Sequence, residues 1–322
     1  MSVNSQEIGT TGVQIPAICF GTSALGNMRD TYSYEVSEVR AIETLQAILS
    51  SPIPFLDTSR VYGMGRSEER IGKVISKMGG LPQGAIISTK LDRDLGSNQL
   101  DAEQARRSLE ESLEALGLDH VDILHLHDPE HVDSLHSITR PGGAIDELFK
   151  MRDEGLCKVV GLAAGNVDVM MPILRERDFD VLLTHNRHTL VCNNAEPMIT
   201  YANENNIAVM NASPYCGGVL ARGTAHYKRY VYQEATGEML APIQAIEKIC
   251  QQYDVPPGAV ALQFSLNDPR IHSTVCGVDK PEFVEQTLAW ASVEIPEQVR
   301  KELSVLPRSD ADPEETREYK PE

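Results

Sequence analysis

"DAEQARRSLEESLEALGLDHVDILHLH", residues 101–127, contains the alternation on which the fold turns. Its first half has helical periodicity: Ala105, Leu109, Leu113 and Leu116 recur on one face. Asp101 is placed to cap that helix, Gln104 completes a capping box, and Gly117 stops it. The pattern then changes to VDILHLH (121–127), a β-rich run. The same grammar repeats along the chain. Further strands are expected at AICF (17–20), PFLD (54–57), AIISTK (85–90), KVVGLA (158–163), DVLLT (180–184), IAVMNA (207–212) and HSTVC (272–276). Helical patterns separate them, MLAPIQAIEKICQQYDV (239–255) and PEFVEQTLAWA (281–291) among them. Eight strands separated by helices imply parallel pairing and an α/β fold of the (β/α)8 TIM-barrel type.

A doubly wound sheet is the competing architecture. If it bound a dinucleotide, it would carry a glycine fingerprint after its first strand. Here the first strand runs into FGTSALGNM (20–28), and Gly63-Met64-Gly65 continues to Arg66-Ser67-Glu68 without a third glycine. The barrel is therefore favoured, as a single domain over residues 1–307. IGTTGVQIPAI (8–18) reads as an N-terminal hairpin turning at Thr11-Gly12 and closing the barrel floor. Residues 213–238 form a long connection after the seventh strand, of the kind that covers barrel active sites. The tail RSDADPEETREYKPE (308–322) is charged and nearly free of apolar residues, which reads as a mobile segment.

Composition narrows the function classes. A net charge of −18 over 322 residues argues against nucleic acid and anionic membrane surfaces as partners. No apolar run approaches the roughly 20 residues of a membrane span, and MSVNSQEIGTTG lacks the basic and apolar regions of a signal peptide. Cys19, Cys157, Cys192, Cys216, Cys250 and Cys276 are scattered, with no C-x-x-C pair. They read as reduced, mostly buried thiols in a cytoplasmic protein.

In a barrel the strand C-termini converge on the face where catalysis occurs. Asp57 ends the second expected strand, Lys90 the third and His127 the fourth, while Tyr62 lies in the loop after the second. Taken singly, Asp57 reads as a helix cap, Lys90 as a surface lysine, Tyr62 as a loop aromatic and His127 as a core histidine. Their convergence raises the functional reading. Asp57 and Lys90 fall within ion-pairing reach. A lysine beside Tyr62 lowers its pKa from about 10. Such a tyrosine trades protons with a carbonyl or hydroxyl, while His127 bonds the same oxygen. A rival reading starts from HLHDPEH (125–131): His125 and His127, with His185 and Asp279, form a candidate metal site for a barrel hydrolase. Such hydrolases carry the histidine pair on their first strand, whereas here it lies on the fourth.

FLDTSRVYGMGRSEERIG (55–72), STK (88–90), RRSLEESLEALGLDHVDILHLHDP (106–129) and VDKPEFVEQTL (278–288) resemble the aldo-keto reductases in order and spacing, over residues 8–306. The resemblance implies a barrel that binds a nicotinamide cofactor without a Rossmann fold, as a monomer or homodimer. It implies a catalytic tetrad on Asp57, Tyr62, Lys90 and His127. It implies cofactor contacts on Ser213, Tyr215, Gly217, Gly277, Asp279, Lys280 and Gln286. The sequence departs from the family pattern at GLAAGNVD (161–168), where Ala163 and Ala164 replace the carboxamide-binding Ser-Asn and Asn166 is a substitute. A family glutamine falls on Leu182, and the stacking tyrosine falls near Ala212, with Tyr215 as its replacement. After the eighth strand, members that use NADP are basic. Here Asp279 faces that position with Lys280 the one cation in the stretch, which favours NAD over NADP by the logic of acidic ribose-binding residues. These departures, together with NRHTLV (186–191) and ASPYCGGVLARG (212–223), resemble the aldose 1-dehydrogenase branch, which oxidises a cyclic sugar at C1 to a lactone. Tyr32, Tyr34, Arg187 and His188 are then candidate substrate contacts. Two alternatives stand beside this reading: a general NADPH-dependent aldehyde reductase and a cofactor-sensing regulatory subunit.

Overall fold

Parallel strands need crossover connections, and the helices between them supply these. A computed structural model describes residues 5–319; residues 1–4 and 320–322, which include the ends of the expected barrel segment and tail, lie outside it. The chain opens with a hairpin of β1 (Ser5–Glu7) and β2 (Gln14–Pro16), antiparallel in register Gln6↔Ile15. Its turn includes Gly12 in the left-handed region, as Thr11-Gly12 predicts. Next come β3 (Ile18–Gly21), β4 (Phe55–Asp57), β5 (Ile86–Leu91), β6 (Val121–His127), β7 (Cys157–Ala164), β8 (Val181–His185) and β9 (Ala208–Ala212). A small hairpin, β10 (Arg229–Tyr230) and β11 (Gln233–Glu234), precedes β12 (Ser273–Gly277). All eight expected strands form one closed parallel barrel in the order β12-β3-β4-β5-β6-β7-β8-β9. The register sets Asp57 opposite Ser88, Lys90 opposite His125 and His127 opposite Ala163.

The helix of the opening stretch spans Ala102–Leu116, with Asp101 accepting from the Gln104 amide at 2.9 Å and Gly117 in the left-handed region at its end. The Gln104 side chain does not complete the capping box. It donates to the Asp92 carbonyl at 3.1 Å and ties the helix start to the end of β5. Ala105, Leu109 and Leu116 are buried as the periodicity requires, and Leu113 is only half-buried. Ser108 and Ser112 share the buried face, where Ser108 Oγ accepts from the Asp92 amide. All six cysteines are free and buried. Burial pushes every one of these thiols up, to about 11 for Cys250 and about 12 for Cys157, Cys216 and Cys276. Among the described residues no helix is long and apolar enough to cross a membrane.

The tail departs from its composition. Residues 308–319, read above as mobile, are fixed against the barrel mouth. The Ser309 amide donates to the Val191 carbonyl and the Ser309 carbonyl accepts from the Asn193 amide, both at 2.8 Å. Glu314 is nearly buried and lies against His185 Nε2 (3.0 Å), Asn186 Nδ2 (3.0 Å), Arg187 (3.2 Å) and Arg317 (2.6 Å). The physical reason is charge complementarity. A segment too polar to join an apolar core is ordered because the loop after β8 presents cations to it.

Burial works to raise the Glu314 carboxyl, but His185, Arg187 and Arg317 outweigh it and hold it well below the usual carboxylate range. Its stabilising contribution is therefore in place above the ordinary carboxylate pKa and is lost as pH falls toward the depressed value. Glu314→Ala is expected to destabilise the fold by about 3 kcal/mol near neutral pH and to open residues 308–319 to limited proteolysis. The difference in melting between wild type and variant should shrink progressively below pH 4.

Candidate active site

The alternation of side chains along a strand sends every second residue into the barrel. At the C-terminal ends of β4, β5 and β6 this brings Asp57, Lys90 and His127 to one cavity, with Tyr62 from the loop after β4 on its wall. Lys90 is fully buried, and its Nζ donates to Asp57 Oδ1 at 2.7 Å and to the Thr58 carbonyl at 2.6 Å. Ser88 Oγ donates to the other Asp57 oxygen at 2.9 Å. The buried acid that ends β4 thus has the partner its burial requires. Lys90 Nζ also sits 4.8 Å from the centroid of the Tyr62 ring.

Tyr62 is positioned by a tight turn: its amide donates to the Ser59 carbonyl, and its own carbonyl accepts from the Ser67 amide. The next residue, Gly63, has φ +65° and abuts Gly26 so closely that a Cβ would fall 2.1 Å from the Gly26 carbonyl oxygen. The Tyr62 hydroxyl has no hydrogen-bond partner among the described residues. The lowered Tyr62 pKa expected from Lys90 is not what the structure gives. Burial raises it well above 10, and Asp57, Asp128 and Asp92 add to the rise. The reason is that Asp57 neutralises the lysine, so Tyr62 experiences desolvation and several carboxylates rather than a bare cation.

His127 is fixed by a residue the sequence reading missed. Its Nδ1 meets Asp92 Oδ1 at 2.5 Å, while Asp92 Oδ2 accepts from Ser59 Oγ (2.6 Å) and from the Val61 amide (3.1 Å). This leaves His127 Nε2 for the cavity, edge-on to Tyr62 with ring centroids 6.0 Å apart. Burial pulls the His127 pKa down, but Asp128 and Asp92 outweigh it and raise it. The available signal for Asp92 was its spacing two residues after Lys90, on the same side of the chain.

The other expected residues divide. Tyr32, Tyr34, Ser213, Tyr215, Gly217, Gly277, Asp279 and Gln286 all line the cavity with the four above. Four residues do not. Asn166 is occupied as a helix cap, its side chain accepting from the Val169 amide at 3.1 Å. Lys280 lies over the Phe283 ring, 4.2 Å from its centroid. Arg187 is buried against the tail, paired with Asp312 at 2.7 Å and Glu314 at 3.2 Å. His188 pairs with Asp268 at 3.2 Å beneath Phe264. The rival metal site is likewise dispersed. His125 lies buried against Gly161, His185 is taken by Glu314 and Asp279 by Arg222. Among the described residues no group of three or more His, Cys, Asp or Glu is placed to hold a metal ion.

Arg222, also missed, corrects the reading of Lys280 as the one cation at that end of the site. It reaches Asp279 Oδ2 at 2.8 Å from the long connection after β9 and stacks over Tyr34. Asp279 Oδ1 remains buried without a hydrogen-bond partner. Arg317 and Tyr319, from the tail, complete the cavity wall. An orphaned acceptor at one end and a tyrosine–histidine pair at the other, along one continuous cavity, fit a ligand that carries both a sugar hydroxyl and a redox-active ring. A nicotinamide dinucleotide has both.

A parallel barrel with an Asp–Lys–Tyr–His cluster at its strand ends is the architecture of a barrel oxidoreductase. Residues 17–306 match the model of the aldo/keto reductase family, and the chain belongs to that family. It is 30% identical to a D-threo-aldose 1-dehydrogenase from a Pseudomonas species, over 94% of this chain and 98% of that protein. It is 29% identical to L-galactose dehydrogenase of Arabidopsis thaliana, over 89% and 88% of the two chains. An aldo-keto reductase from Bacillus halodurans in its holo form shares the fold with a TM-score of 0.75 at 19% identity, covering 98% of this chain and all of that one. Aldo-keto reductases use nicotinamide cofactors.

Asp92→Asn removes one of the two carboxylates that raise the His127 pKa. Aldehyde reduction is expected to slow by roughly 10- to 100-fold. Its decline with rising pH should begin at lower pH than in wild type, as measured from kcat/KM profiles.

Proposed function

We propose that this chain is an NAD-dependent aldose 1-dehydrogenase that oxidises the C1 hydroxyl of a cyclic sugar to a lactone. The observation that carries the reading is the unpaired Tyr62 hydroxyl in one cavity with His127, the two rings edge-on with centroids 6.0 Å apart, and with Tyr32, Tyr34 and Tyr232 lining the same cavity. Aromatic faces with polar edges suit a sugar ring. The similarity to two sugar dehydrogenases over nearly the full chain supports the same substrate class.

The residues divide the work as follows. Tyr62 is the acid/base: it takes the anomeric hydroxyl proton in oxidation and returns it in reduction. His127 Nε2–H holds the substrate oxygen, with Asp92 fixing the imidazole from the other side. Lys90 supports the Tyr62 ring as one half of an ammonium–carboxylate pair, and Asp57 holds Lys90 in position. Bound oxidised nicotinamide supplies the hydride acceptor. Because burial keeps Tyr62 protonated through neutral pH, oxidation has to spend energy removing that proton, whereas reduction finds it ready.

At the adenosine end, the free Asp279 Oδ1 suits a ribose hydroxyl, and the charge of Arg222 is bound by the same carboxylate. This supports NAD. Arg222 is also the specific observation behind a second reading, an NADPH-dependent aldehyde reductase in which the guanidinium turns to a 2′-phosphate.

Three outcomes test these readings. A panel of aldoses with both cofactors should show lactone formation with NAD, at a kcat/KM that climbs with pH beyond 9; turnover limited to aldehydes with NADPH would select the second reading. Tyr62→Phe should lower turnover by about 10³-fold while leaving the Kd for NADH, from fluorescence titration, within about twofold. Asp279→Asn should shift the NAD/NADP ratio of kcat/KM toward NADP by about tenfold, as loss of a charged acceptor predicts.

A further inference from the structure

Asp128 stands immediately after His127 at the end of β6 and belongs to neither the tetrad nor the cofactor contacts. Its backbone is left-handed at φ 43°, a conformation uncommon outside glycine. Its side chain lines the catalytic cavity and also an adjoining one, so it forms part of the wall between them. Oδ1 is buried without a hydrogen bond, and its nearest cationic group is His127 Nε2 at 3.5 Å, an ion pair too long for a good hydrogen bond. His127, His131, His185 and Arg93 overcome the effect of burial and keep the carboxyl ionised. Several other polar side chains lining the cavity are committed to partners of their own. Lys90 is bound to Asp57, Ser23 to Tyr32 and Ser213 to Tyr232.

We propose that Asp128 is a specificity-determining residue that accepts a hydrogen bond from the hydroxyl on the carbon next to the reacting one, and so selects α-hydroxy carbonyl compounds and their cyclic forms. His127 Nε2 marks where the reacting oxygen is held, and Asp128 is the carboxylate beside it. Vicinal oxygens of a sugar lie roughly one hydrogen-bond length apart, so a substrate whose reacting oxygen engages His127 presents its neighbouring hydroxyl to Asp128. A buried acceptor with no donor is costly when the substrate lacks that hydroxyl and satisfied when it is present. This is the arrangement by which a site rejects an analogue missing one hydroxyl. The same negative charge disfavours substrates with a phosphate or carboxylate at that carbon. The inference deepens the aldose reading, since it rests on a polyhydroxylated substrate.

The test is a matched pair, 2-hydroxypropanal and propanal, each reduced with NADH or NADPH, which differ by the one hydroxyl in question. Wild type should favour 2-hydroxypropanal in kcat/KM, and Asp128→Ala should reduce that preference by about tenfold or more, the loss expected for a hydrogen bond to a charged group. Asp128→Asn, which keeps an acceptor oxygen and tolerates the left-handed backbone, should retain part of it. Asp128→Gly replaces the alanine variant if the latter does not fold, because φ 43° suits glycine. A change acting only through His127 or Tyr62 slows both aldehydes alike and leaves the ratio fixed. A ratio unchanged within twofold in the alanine or glycine variant, or a wild type with no preference, overturns the proposal. Neither small aldehyde forms a sugar ring, so that result leaves C1 oxidation of aldoses standing. A wild type inactive on every aldose but selective within the pair overturns the aldose reading alone.

Discussion

The site depends on one buried ion pair. Removing Lys90 and Asp57 from water costs several kcal/mol for each charge, and the structure offsets this with a 2.7 Å contact and full coordination. The Thr58 carbonyl accepts a second N–H of the ammonium, and Ser88 Oγ donates to the second carboxylate oxygen of Asp57. Barrel register makes this possible. Asp57 pairs with Ser88 across β4 and β5, so Lys90 lies two residues further along the same inward-facing row. A lysine satisfied in this way acts on Tyr62 as a positioned dipole. The tyrosine keeps its proton, and the site rests in the form that donates one.

A second electrostatic system surrounds the first without touching its chemistry. Glu314, Asp312 and Arg317 of the tail meet His185, Asn186 and Arg187 after β8, and Asp268 bridges His188 and Arg270 nearby. These pairs hold the tail against the barrel, and they bring Arg317 and Tyr319 to the cavity. The chain thus reaches its pocket twice, first through the strand ends and last through a strap of polar residues held by charge.

Much of this was legible in the sequence because strands obey a simple period. Asp57, Lys90 and His127 sit at the ends of apolar runs whose alternation fixes the side they face, and eight such runs admit few closed arrangements. Quantities summed over the whole fold were not legible. The acidity of Tyr62 depends on which charges are already matched, and residue order does not show that Asp57 has taken the charge of Lys90. Arg222 meets Asp279 from 57 positions earlier in the chain, so a cation search confined to residues 276–287 finds only Lys280. Arg187 and His188 look like site residues because they follow a barrel strand, yet Arg187 is paired with a tail whose composition suggests solvent and His188 with Asp268. Asn166, offered as a carboxamide ligand, is at an ordinary capping position, and its spacing before Val169 gave equal support to that role.

The six thiols have a bearing on the chemistry such a protein handles. Aldehydes, open-chain sugars included, add readily to thiolates to give thiohemiacetals, and a nucleophilic cysteine near the cavity would compete with the hydride step and become modified by substrate. Every cysteine here is buried and held in the unreactive thiol form by desolvation, Cys276 included, although it sits in β12 with its sulfur accepting from the Tyr215 hydroxyl at 3.7 Å. The interior accommodates sulfur as a polarisable packing atom and denies it the role of nucleophile, so none of the six thiols is poised to add to an aldehyde.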